Sequence, residues 1–176
     1  MNTEFNKDPL QPGTMSHSLI KALIDNYRQN HLGAINDRLE INDAHSIWFD
    51  LPKLKNFITM IENEARKTKP DCTDEDLGVR FYYAAYPKAE NWDIMSSHPV
   101  PEQYAEKHTL VLIPTLKKEN EDGELLDYDF SSLSDGDNDS IALALNTNSQ
   151  NQLVDITIGE NSGTLIPPSP LVGTSY

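Results

Sequence analysis

One segment narrows the possible folds of this chain more than any other: "HTLVLIPT", His108 to Thr115. Its apolar residues run on without alternation. A strand with one wet face would alternate, so this run predicts a strand covered on both faces. Such a strand requires neighbours on either side and a second layer to bury it. Pro114 is expected to close it, because proline has no N–H to give a central ladder.

The second layer is written a little earlier. Asp50 can cap a helix and Pro52 falls in its first turn, where a missing N–H costs nothing. Leu54, Phe57, Ile58, Ile61 and Ala65 then form an apolar stripe, with Lys53, Lys55, Glu62, Glu64 and Lys67 elsewhere. The helix is expected over 52–67 and must break at Pro70. An earlier helix is expected over 18–31. Ser16 or Ser18 can cap it, Ile20, Leu23, Ile24 and Tyr27 share one face, and Gly33 is a stop signal. The stretch "AINDRLEINDA" reads equally as a short helix or a loop.

Further strands follow from period two and β-branched or aromatic content. "HSIWFDL" predicts one over 45–51, and "GVRFYYAAY" predicts another over 78–86. Strand, helix and strand in this order also fit a right-handed βαβ unit. In "LLDYDF" the residues Leu126, Tyr128 and Phe130 alternate with Asp127 and Asp129, which predicts a half-buried edge strand with outward charge that discourages sheet-to-sheet pairing. "QLVDITIGE" predicts a strand near 152–158, and "IALALN" reads as either a helical turn or a strand.

Together these elements predict an α+β fold, with a mostly antiparallel four- to five-stranded sheet and two main helices packed on it. The organisation expected is a flexible arm over 1–15, a single domain over 16–160, and an extended proline-rich tail over 161–176. A chain of 176 residues is long enough to bury a substantial core.

Charge divides the chain. Residues 1–88 hold 13 acids and 11 bases, whereas residues 89–176 hold 15 acids and 3 bases, within a total net charge of −14. Such a field opposes nucleic-acid phosphates and anionic membranes, so neither is an expected partner; a basic protein is. No run of 18 apolar residues occurs, and the start of the sequence lacks a basic and apolar leader, so no membrane span or secretory signal is expected. The single cysteine, Cys72, excludes an internal disulfide framework and suits a reducing, cytoplasmic setting.

The most concentrated feature is "ENEDGELLDYDFSSLSDGDNDS", Glu119 to Ser140, with nine carboxylates and no base. Asp135, Asp137 and Asp139 resemble the opening of a calcium loop, but Ser140 and Asn146 stand where an EF-hand needs glycine and glutamate. A solvated turn is the better reading. As an anionic surface the segment offers Asp127, Tyr128, Asp129, Phe130, Asp135, Asp137 and Asp139 to a cationic partner. Trp92 and Tyr104, on the long connection between 87 and 107, extend that candidate surface; the same residues are equally suited to folding back over the core.

Chemistry-bearing motifs are scarce. His17, His31, His45, His98 and His108 show no zinc spacing, so no metal or cofactor is expected. His45 and His108 each begin an expected strand, and with His98 they make a conceivable converging site. Cys72, in "PDCTDEDL", has surroundings that argue against a reactive thiol. No nucleophile elbow and no phosphate-binding glycine loop is present. The sequence therefore favours a non-catalytic protein-binding module (adaptor, inhibitor or immunity-type partner), with an enzyme or metal-dependent binder built on converging histidines as the alternative.

Overall fold

The computed structural model describes residues 13–130 and 157–169. These residues are mixed α+β, with three α-helices and two antiparallel sheets among them. Helix α1, His17–Asn26, starts where the Ser16 hydroxyl accepts from the Leu19 N–H at 3.2 Å. It does not stop at Gly33. The chain passes through a π-helical turn, Tyr27–Leu32, directly into helix α2, Gly33–Leu39. Gly33 itself is right-handed helical, and the stop falls at Glu40, whose φ of 55° takes the left-handed conformation. Glycine permits that turn but does not compel it. The first half of "AINDRLEINDA" is thus helix and the second half loop.

Helix α3, Leu51–Thr68, follows its sequence signals. The Asp50 carboxylate accepts from the Lys53 N–H at 2.7 Å, Pro52 occupies the first turn, and Phe57, Ile61 and Ala65 are buried. Those three side chains, one turn apart each, meet Leu112, Leu116, Phe130, Ile158 and Cys72 in the main core. The only cysteine is therefore a small core residue.

Strands β2 (Leu77–Ala85), β3 (His108–Glu119) and β4 (Leu125–Asp129) form an antiparallel meander with β3 in the centre; strand β1 (Ser46–Trp48) precedes them in the chain and pairs elsewhere. Leu112 and Leu116 point at α3, and alternate residues Ile113 and Thr115 are buried on the opposite face, so the continuous apolar run is covered on both sides. Pro114 does not end the strand, contrary to expectation. It lies just where β4 pairing runs out: its carbonyl accepts from the Phe130 N–H at 2.9 Å, and the ladder continues to Glu119. A proline needs only that its N–H not be called upon. Among the described residues β4 is an edge strand, and Asp127 on it is exposed.

The strands do not make one sheet. β1 pairs instead with β5 (Thr164–Ile166), Ile47 lying opposite Leu165. The two strands flanking α3 thus belong to different sheets, which removes the βαβ unit. The partner of β1 comes from the stretch assigned to the proline-rich tail. Gly163 permits this docking: a Cβ there would lie 2.4 Å from Ile47 Cγ2 and 2.7 Å from Phe49 Cζ. Of the strand expected near 152–158, residues 152–156 lie outside the described residues; Glu160 bridges to Leu112 from just beyond it. "IALALN" and residues 1–12 and 170–176 also lie outside them.

The long connection from β2 to β3 contains two 3-10 segments, Ala89–Ser97 and Glu102–Tyr104. It folds back onto a second small core of Ala44, Tyr86, Tyr104 and Leu165, with Trp92 packed against it. No helix among the described residues is long and apolar enough to cross a membrane.

Candidate functional site

The loop after α2 brings one carboxylate into the protein. Asp43 is 1 % exposed. Its Oδ1 accepts from the backbone N–H of Ala44 at 2.8 Å and of His108 at 2.7 Å, and its Oδ2 meets His108 Nδ1. Its own N–H donates to Asn36 Oδ1 at 2.9 Å, tying the loop back to α2. Each oxygen of this buried carboxylate therefore has an N–H partner, which is the condition for burying such a group at all. A carboxylate accepts, so His108 donates from Nδ1, and in its neutral form the ring presents Nε2 as an acceptor.

His108 lines a cleft of about 540 Å³. One wall comes from the first helical stretch: Tyr27 and His31 from the π-helical turn and Ile35 from α2. Ala44, His45, Ser46 and Ile47 make a second wall, and Tyr83, Thr109 and Leu110 of the larger sheet complete it. The π turn matters here. Widening the helix by one residue per turn changes which side chains share a face, and such turns often accompany functional positions. In this turn Tyr27 and His31 stack, their ring centroids 6.0 Å apart and planes 16° from parallel.

His45 is placed differently from His108. Its Nδ1 lies 3.4 Å from an Arg28 guanidinium nitrogen and 3.2 Å from the Ser46 hydroxyl. Burial and then the Arg28 charge push its pKa below the usual imidazole value, with a backbone hydrogen bond opposing them. Neutral His45 accepting from Arg28 at Nδ1 bears its proton on Nε2. The cleft thus holds two imidazoles anchored through Nδ1 in opposite senses, His108 donating there to a carboxylate and His45 accepting there from a guanidinium. The Tyr27 phenol is held protonated, because burial, Asp43 and Tyr83 all raise its pKa. Arg28 Nε is buried with no hydrogen-bond partner.

Among the described residues no group of three or more His, Cys, Asp or Glu side chains is placed to hold a metal ion. Of the histidines considered from sequence, His45 and His108 line one cleft, whereas His98 caps the 3-10 segment of the long connection and is exposed. His31 takes the third position.

The candidate anionic surface is dispersed in its roles. Asp127 is exposed and Tyr128 half-buried. Asp129 is engaged by Arg80 Nη1 at 2.5 Å and by the Tyr82 hydroxyl. Phe130 is 1 % exposed and Tyr104 4 %, both inside the protein. Trp92 packs 6.0 Å from Tyr86, and the Tyr104 hydroxyl reaches Ser169 at 3.2 Å. Asp135, Asp137 and Asp139 lie outside the described residues. Sequence reasoning missed Asp43, Tyr27 and His31. Asp43 looked like any loop aspartate, and no local pattern distinguishes it.

Compared with known proteins, the chain matches no family model, no curated protein and no solved structure.

Proposed function

We propose that the cleft binds a small, weakly acidic, ring-bearing molecule, with His108 as the group that accepts its proton or hydrogen bond. The observation that carries this reading is the buried carboxylate of Asp43, spent on one imidazole at the cleft's edge. Ile35, Ile47 and Leu110 offer apolar walls, Tyr27 offers a ring face, and His108 Nε2 with His45 Nε2–H offers an acceptor and a donor. A neutral imidazole oriented by a carboxylate is also the arrangement of a general base, so proton abstraction from the bound molecule is the chemistry the pair suits.

Diethyl pyrocarbonate, which attacks unprotonated imidazole nitrogen, tests the assignment. His108 should react faster than the solvent-exposed His17, and the Asp43→Asn variant should lose that advantage. Benzoate and phenol as NMR probes should shift resonances around Tyr27 and Leu110 in the wild type and not in His108→Phe. Equal reactivity of His17 and His108, together with no shifts from either probe, would exclude the reading.

A second reading is favoured by a different observation. Glu119, Glu121, Asp122, Glu124 and Asp127 are all exposed on the β3–β4 hairpin. That cluster supports docking of a basic protein, in an association that weakens with salt because charges at an exposed surface are screened.

A further inference from the structure

Among the described residues no strand pairs with the outer edge of β2, and that edge is unusually apolar. β3 turns its backbone groups at Leu110, Leu112 and Pro114 away from β2: Leu112 exchanges both hydrogen bonds with Glu160 at 2.9 and 3.0 Å, Pro114 accepts from Phe130, and Leu110 accepts from Asn161 at 3.2 Å. Opposite residues in an antiparallel ladder turn their groups the same way, both inward or both outward. The partners of those three are Tyr83, Phe81 and Val79. Their N–H and C=O groups therefore face outward, where no other strand among the described residues meets them.

Native edges are normally blunted by charge, proline or a bulge. β2 has no proline, its register with β3 is unbroken, and over nine residues its one charge, Arg80, is answered by Asp129 on the same sheet. The side chains on this edge are exposed aromatics, with Phe81 at 54 %, Tyr82 at 42 % and Tyr83 at 92 %.

We infer that β2 pairs antiparallel with β2 of a second copy of this chain, about a two-fold axis through Phe81, joining two three-stranded sheets into one. The sequence of the strand is self-complementary in that register. Phe81 faces Phe81 of the second copy, Val79 faces Tyr83, and each pair exchanges its two outward hydrogen bonds. Arg80 falls opposite Tyr82, a pairing of guanidinium with aromatic ring, and no like charges meet. Shifting the axis to residue 80 would set Arg80 against Arg80. The register about Phe81 also aligns the whole of β2, from Leu77 to Ala85. The edge carries no acid, whereas each copy as a whole carries −14, so the long-range repulsion between copies is relieved by salt while the contact itself is not weakened.

Light scattering after size exclusion on the full chain, over a range of concentrations and salt, reads this directly. The expected result is a species of twice the 19.8 kDa chain mass, whose dissociation constant falls as salt rises. Phe81→Lys puts two like charges on the axis and should raise that constant at least about tenfold, with the circular dichroism spectrum unchanged. Phe81→Cys supplies a second route. Directly opposed residues of a bonded pair have Cα atoms about 5.5 Å apart, within disulfide reach, so oxidation should link the two copies. Tyr83→Cys should not link, because its two copies are separated by roughly 13 Å along the strand. A monomer at every concentration and salt overturns the inference, as does a dimer indifferent to Phe81→Lys, or linkage of Tyr83→Cys as efficient as that of Phe81→Cys.

Discussion

The two ends of β3 use carboxylates in opposite ways. At its start one acid, Asp43, is buried and bonded to three N–H groups, and through them it fixes the position and tautomer of His108. At its far end the strand runs into a hairpin with exposed Glu119, Glu121, Asp122, Glu124 and Asp127. The many acids set a field, and the single one sets a geometry. Desolvation makes the difference: a carboxylate in water loses little when a neighbour is removed, while a buried one leaves every group around it unsatisfied.

That contrast breaks most visibly at Asp43. Asp43→Asn keeps the shape but sets an amide against donors, and should cost about 3 kcal/mol of stability, read as a lower midpoint in urea with an unchanged slope. A loss of less than about 0.5 kcal/mol would place Asp43 with the hairpin acids.

A smaller effect is expected at His45. Its folded pKa is lowered, so the fold favours the neutral ring. The stability this contributes is present above the ordinary imidazole pKa of about 6.5 and is lost as pH falls through the folded value. Comparison of the melting temperature of the wild type with that of His45→Gln from pH 8 to pH 5 should show the two converging at the acid end. A constant gap would remove His45 from the pH response.

The smallest effect belongs to the hairpin. Neutralising Glu121, Asp122 and Glu124 together as Gln, Asn and Gln should move stability by no more than about 0.5 kcal/mol. The same variant should weaken low-salt binding of a cationic probe such as polylysine, while leaving the cleft's response to benzoate unaltered.

Much of the scaffold was readable from local pattern. The Asp50 cap, Pro52 and the Phe57–Ile61–Ala65 stripe marked α3, and the alternation of "LLDYDF" marked β4 as an edge. The cleft was not readable, because its chemistry depends on distance in sequence collapsing in space. His108 was a candidate only as the first residue of a strand. Its carboxylate partner lay 65 residues away, in a stretch that read equally as helix or loop. Phe130 read both as part of the apolar side of a half-buried strand and as an anchor for a partner; it packs in the core with Leu112 and Leu116.

What the residues determine by themselves, then, is the set of elements: caps, stripes and alternation are local, acting over one or two turns of helix or a few residues of strand. Tertiary structure alone decided that β1 would pair with β5 and not join the larger sheet, that Gly33 would be passed over, and that Asp43, alone of the acids among the described residues, would be removed from water. Those outcomes rest on contacts between segments far apart in the chain. No residue carries a local mark of them, since burial and hydrogen-bond partners come into being only when the layers close.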